Sequence, residues 1–194
     1  YGVIMDRDNI CKIFSNEFDR IAEFYPIAMP MLIEILHDLT DEKFWTEPAS
    51  STGVHHPRTS NISGGNIVHT KQAFWIADTI INTMQIANEQ KGYILSAVLL
   101  HDIDKFTESI GSHGITAAQK IRQYCQERKF DIHFSNAVSR CVMLHMGKWG
   151  DIKMDNNEFD MAGIVHLSDY LASRPFLEFN EKEIPIWTCT KHTI

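Results

Sequence analysis

The chain has 194 residues, 44 % of them hydrophobic and 22 % charged, and a net charge of −7 with histidine counted neutral. That size and make-up suit one globular domain with its own core, read as a single unit over 1–194. The acidic balance argues against a broad nucleic-acid surface, but not against a small phosphate ester, because bound metal ions can supply positive charge locally.

The cysteines at 11, 125, 141 and 189 show no Cys-x-x-Cys spacing. They read as reduced, mostly buried thiols of a cytoplasmic protein. No segment approaches the roughly 20 apolar residues that span a bilayer, and no signal-peptide pattern is visible, so no membrane partner is expected.

In chain order, helical periodicity dominates and predicts an all-α fold. Residues 12–40 repeat apolar positions at Ile13, Phe14, Phe18, Ile21 and Phe24, then at Met31, Leu32, Ile35 and Leu36. Pro26 and Pro30 are expected to split this stretch. These N-terminal helices (1–47) lead into a loop over 48–66, rich in Ser, Pro, Gly and Asn, and long loops of this kind tend to be functional. A helix over about 67–88 keeps Ala73, Ile76, Ala77, Ile80, Ile81, Met84 and Ala87 on one face. A nearly all-apolar helix over 92–103 implies burial at the centre. Ser112 is a plausible N-cap for a helix from 113 to about 127. The next helix, 131–146, carries Phe134, Val138, Cys141, Val142 and His145 on one stripe. The polar loop "GKWGDIKMDNN" leads to a last helix at about 157–173, closed by Pro175. The extension 175–194 is ambiguous.

This reading gives the polar residues a common direction. His69 opens the inward pattern of its helix, and His101-Asp102 ends the most buried one. His145 lies on an apolar stripe, and Asp169 sits in the mostly apolar "AGIVHLSDYLASR". Singly, each reads as a hydrogen-bonded core residue. Together, four helices point imidazoles and carboxylates at one interior. Those are ligands that borderline divalent metals accept, and a metal makes such a buried cluster tolerable.

The segments "GGNIVHT", "LLHDIDK", "SHGITAAQKI", "MLHMG" and "HLSDYLASR" occur in this order over 64–174. They resemble the motifs of the HD-domain superfamily of metal-dependent phosphohydrolases. The resemblance implies a helical bundle with metal at its centre. His69, His101, Asp102 and Asp169 would bind one divalent ion. His113 and His145 would bind a second, bridged by Asp102, as in small two-metal members such as the bacterial diadenosine tetraphosphate hydrolases. Fe, Mn, Co, Zn and Mg are all compatible. Asp104 departs from the family's usual glycine and would add negative charge near the metals.

The expected activity is hydrolysis of a phosphoester or phosphoanhydride of a nucleotide or related small phosphate ester, with a metal-activated water as nucleophile. Asp102 and Lys105 are the catalytic candidates. Lys105 and Arg174 are candidates for holding phosphate, against the alternatives of a solvated lysine and of a charge that complements a helix C-terminus. His55, His56 and Arg58 would form the pocket rim, or an ordinary polar loop. His166, three residues before Asp169, is a candidate for supporting that ligand. His37, His133 and His192 have no assigned role. Two alternatives are a mixed-valent di-iron oxygenase of the inositol-oxygenase type and a non-catalytic nucleotide-sensing module.

Overall fold

The computed structural model describes residues 5–50, 53–106, 112–152 and 160–177. Among them are nine α-helices and two short 3-10 turns, with no strand, so the fold is all-α as expected. The helices are α1 (Arg7–Ile13), α2 (Ser15–Phe24), α3 (Ala28–Leu39), α4 (Glu42–Thr46), α5 (Gly65–Asn82), α6 (Asn88–Leu100), α7 (His113–Glu127), α8 (Ile132–Leu144) and α9 (Met161–Ala172). The apolar α6 is the axis, packed against α2, α3, α5, α8 and α9. Every residue from Gly92 to Leu100 is buried, as a helix without a polar face requires. Among the described residues no helix is long and apolar enough to cross a membrane. Cys11, Cys125 and Cys141 are free thiols, and Cys189 lies outside the described residues.

Several boundaries differ from the periodic reading, each for a physical reason. The first break is at Phe14, not at a proline. Its fully buried ring packs edge-on against Phe18 and at a tilt against Trp45 while its backbone leaves the helical region between α1 and α2. Pro26 does separate α2 from α3, but Pro30 sits inside the first turn of α3, where backbone N–H groups have no helical partner to lose. α5 begins at Gly65 and ends at Asn82. Its stretch from Gly65 to Phe74 is buried all round, while Ile76, Ile80 and Met84 are only partly buried. α6 starts earlier than expected, at Asn88, and stops at Leu100; α8 stops at Leu144. α9 starts at Met161, capped by the Asp160 carboxylate on the Ala162 and Gly163 amides. The expected helix at 157–159 and all of 178–194 lie outside the described residues.

Two contacts seat α5. Lys71 and Glu17 form a fully buried pair at 3.0 Å, and Glu17 also accepts the Trp75 indole N–H at 3.0 Å. Removing one partner of such a pair strands a charge and costs about 3–5 kcal/mol. At the N-terminal end of α5, a Cβ on Gly65 would lie 2.0 Å from the Ser60 carbonyl oxygen. Glycine there lets the 3-10 turn Arg58–Ser60 close on the helix.

Candidate metal centre

Five elements deliver the six predicted ligands to one place. His69 comes from the buried first half of α5. His101 is the C-cap of α6 and Asp102 follows it. His113 is the first residue of α7, His145 the C-cap of α8, and Asp169 lies on α9. His101 and His145 therefore stand just past the ends of apolar helices, not on their faces. The rings run His69, His101, His145, His113, with neighbouring centroids 5.0–5.3 Å apart.

The polar atoms divide into two groups of three, His69–His101–Asp169 and Asp102–His113–His145, each with its ligand atoms within 4.8 Å of one another. In the first group His69 Nε2 lies 3.0 Å from Asp169 Oδ1 and 3.3 Å from His101 Nε2. In the second His113 Nε2 lies 3.1 Å from His145 Nε2 and 3.4 Å from Asp102 Oδ1. Asp102 faces both: its Oδ2 is 3.3 Å from His101 Nε2, while its Oδ1 faces His113 and His145. Bonds of about 2.0–2.3 Å to one ion place ligand atoms about 3–4.6 Å apart, so the spacing fits a cation in each group.

Hydrogen bonding makes the same point. His101 Nδ1 donates to Val98 O at 2.6 Å and His145 Nδ1 to Val142 O at 2.7 Å. A carbonyl only accepts, so each Nδ1 carries a proton and Nε2 is the atom that faces the cluster. Burial, reinforced by His101 and His113, pushes the His145 pKa down to about 3 and keeps that ring neutral. Its lone pair then faces an imidazole and a carboxylate, an arrangement that calls for a cation. At His101 burial opposes charge, but Asp102 and Asp169 outweigh it and lift the pKa to about 10. Burial works to raise both carboxyls, yet His101 and Lys105 hold Asp102 well below the usual range, and His101 and His69 do the same for Asp169. The ligand side chains are 0–9 % exposed, except Asp169 at 21 %, which marks the open side.

The model of the HD domain matches residues 66–174, 109 of the 194 residues. The chain belongs to the HD-domain family. Comparison with curated proteins and with solved structures returned no match. HD domains form a superfamily of metal-dependent phosphohydrolases that bind divalent metals, and this one brings all six expected ligand residues together.

Around the HD ligands the other candidates separate. Lys105 Nζ lies 2.6 Å from Asp102 Oδ2 and is partly exposed. His56 turns inward, edge-on to His69 at 4.9 Å between ring centroids, and burial, then the charges of His69 and Lys105, push its pKa to about 3. His55 and Arg58 on the same loop are exposed. His166 Nδ1 donates to the His145 carbonyl at 2.6 Å, so the hydrogen bond it makes supports His145, where Asp169 was expected. Gly147 gives that ring room, since a Cβ there would sit 2.3 Å from it. Arg174 donates to Tyr170 O and Ser173 Oγ and lies over the Tyr170 ring at 4.3 Å. Asp104, the departure from the family's glycine, is buried and paired with Lys120 of α7, so its charge is matched. That pairing joins residues 16 apart and has no periodic signal. Gln72, fully buried one turn beyond His69, was also missed; its place in the inward half of α5 is the only clue in the sequence.

Proposed function

We propose that this HD domain hydrolyses a phosphoester or phosphoanhydride of a nucleotide or related small phosphate ester, with one divalent ion in each ligand group. The observation that carries the reading is the division of Asp102, whose two oxygens face different buried groups. When bound, such ions supply Lewis acidity toward phosphate oxygens and a water made nucleophilic near neutral pH.

The chain's own residues do the rest. Asp102 and the locked Nδ1 protons of His101 and His145 fix the ligand atoms before any ion arrives, so little reorganisation is left to binding. Lys105 sits against Asp102 with its ammonium partly in solvent, placed to take a phosphate oxygen or the leaving group. Arg174 can form a bidentate phosphate contact if it leaves its helix-end partners. His55, His56 and Arg58 belong to the loop over His69, with His55 and Arg58 free to reach substrate at the rim.

The test is metal analysis with a hydrolysis screen over mono-, di-, cyclic and bridged nucleotides in Mn, Fe, Co and Mg. The expected result is two ions per chain and phosphate release from at least one class. Metal-loaded protein that hydrolyses none of them would overturn the reading, and oxygen uptake in its place would point to the di-iron oxygenase class.

A further inference from the structure

Among the described residues, every buried side-chain nitrogen or oxygen without a hydrogen-bond partner belongs to His56, Thr59, Asn61, Asn66, His69 or Gln72. These residues lie on two packed segments, the loop before α5 and the first half of α5 itself. Dry buried donors and acceptors are costly and rare. Such a concentration along one packed boundary calls for a polar partner that the neighbouring side chains do not supply.

Two of the six flank the ring of a third, His69. His69 Nδ1 has no partner, unlike the Nδ1 atoms of His101 and His145. Gln72 is three residues on, hence on the same side of α5, and neither its Oε1 nor its Nε2 is bonded. His56 packs edge-on against His69 with its own Nδ1 unpaired. A histidine that offers Nε2 to a cation carries its proton on Nδ1, and that proton needs an acceptor.

We propose that an ordered water joins these unpartnered atoms and that Gln72, acting through it, is the positioning residue for His69. The water accepts the His69 Nδ1 proton and donates its two hydrogens to Gln72 Oε1 and His56 Nδ1. Three hydrogen bonds are the usual complement of a buried water. The inference rests on the proposed function only in taking His69 Nε2 as the ligand atom.

The experiment is a Mn(II) titration of Gln72→Leu, Gln72→Glu and the parent protein, with melting curves of each in chelator. Leucine keeps the shape and removes both polar atoms. We expect one of the two ion equivalents to weaken ten- to a hundredfold and the other to stay unchanged. The metal-free melting temperature of Gln72→Leu should change little, because the lost bond from the water is offset by removal of the unpaired Nε2. Gln72→Glu retains an acceptor and should restore the affinity. Parent-like affinity at both equivalents in Gln72→Leu overturns the proposal. So does a lowered metal-free melting temperature that Gln72→Glu fails to restore along with affinity, since that is a packing role. Protein that binds two ions, shows the Gln72 effect and hydrolyses no phosphoester overturns the proposed function and leaves this inference standing. A parent protein that takes up no divalent ion overturns both.

Discussion

His145 and His69 face the same cluster but are oriented by different means. "VMLH" at 142–145 repeats the device of "VLLH" at 98–101. In both, the histidine caps its helix and its Nδ1 returns to the carbonyl three residues back. Last-turn carbonyls have accepting capacity to spare, so the ring completes the helix and the helix aims the ring. His69 is the fifth residue of α5, and the carbonyl three residues back, Asn66 O, already accepts the Thr70 hydroxyl at 2.9 Å. A ligand at a helix end can be oriented by its own helix. A ligand inside a helix must be oriented from elsewhere.

The largest expected effect joins the two regions. Asp102→Ala removes the side chain whose two oxygens face the two groups, so bound metal should be lost from both and hydrolysis should fall more than about a hundredfold, beyond what supporting residues cost. Metal analysis and turnover read it; near-parental values would mean the groups work independently. Next is Lys105→Ala, which takes a charge-assisted contact from the open side without touching ring orientation. It should cost about 1.5–3 kcal/mol, or roughly ten- to a hundred-and-fifty-fold, mainly in kcat. Metal content should stay unchanged, and Arg174→Ala should act mainly on KM.

A smaller effect sharpens the contrast itself. His166→Phe keeps an aromatic ring beside Trp149 and deletes the bond to the His145 carbonyl. The loss of about 1 kcal/mol should weaken the His145 group about fivefold and spare the His69 group, as a two-site metal titration would show. Smallest is the effect of Asp38, which ties α7, the helix of His113, to α3 through the Tyr124 hydroxyl. The hydrogen bonds from Tyr124 and His37 hold the Asp38 carboxyl below its ordinary value, against burial. A depressed carboxyl contributes stability above its unfolded pKa near 4 and loses it as pH falls through the folded value. Asp38→Asn should therefore melt lower at pH 7, with the deficit closing below about pH 4; a deficit independent of pH would assign it to packing alone.

The all-α class and the gathering of six imidazole and carboxylate residues were legible because each leaves a local mark: an apolar period, or an imidazole and a carboxylate where that period predicts burial. The way ligands are presented was less legible. Periodicity put His145 on a stripe and ran the central helix through to 103, whereas α8 and α6 end one residue before their histidines. A helix end is set by where the next turn must go, and that depends on neighbours. Pro30 misled for a related reason, since a first-turn proline starts a helix as readily as it stops one. The pairs Glu17–Lys71 and Asp104–Lys120 and the placement of Gln72 were out of reach, because each depends on elements that meet only in the folded chain.

The Glu17–Lys71 pair has a consequence for modularity. The stretch that matches the HD domain begins at 66, yet the carboxylate that neutralises Lys71, two residues from His69, is supplied by α2, 54 residues upstream. Cut out at the limits of the match, the segment would lose the carboxylate that sits 3.0 Å from this buried ammonium. It would also bare the side of α6 that α2 and α3 cover. The matched stretch thus leans on contacts made from outside it. The four leading helices, outside the match, act as the counter-ion and the lid of its core.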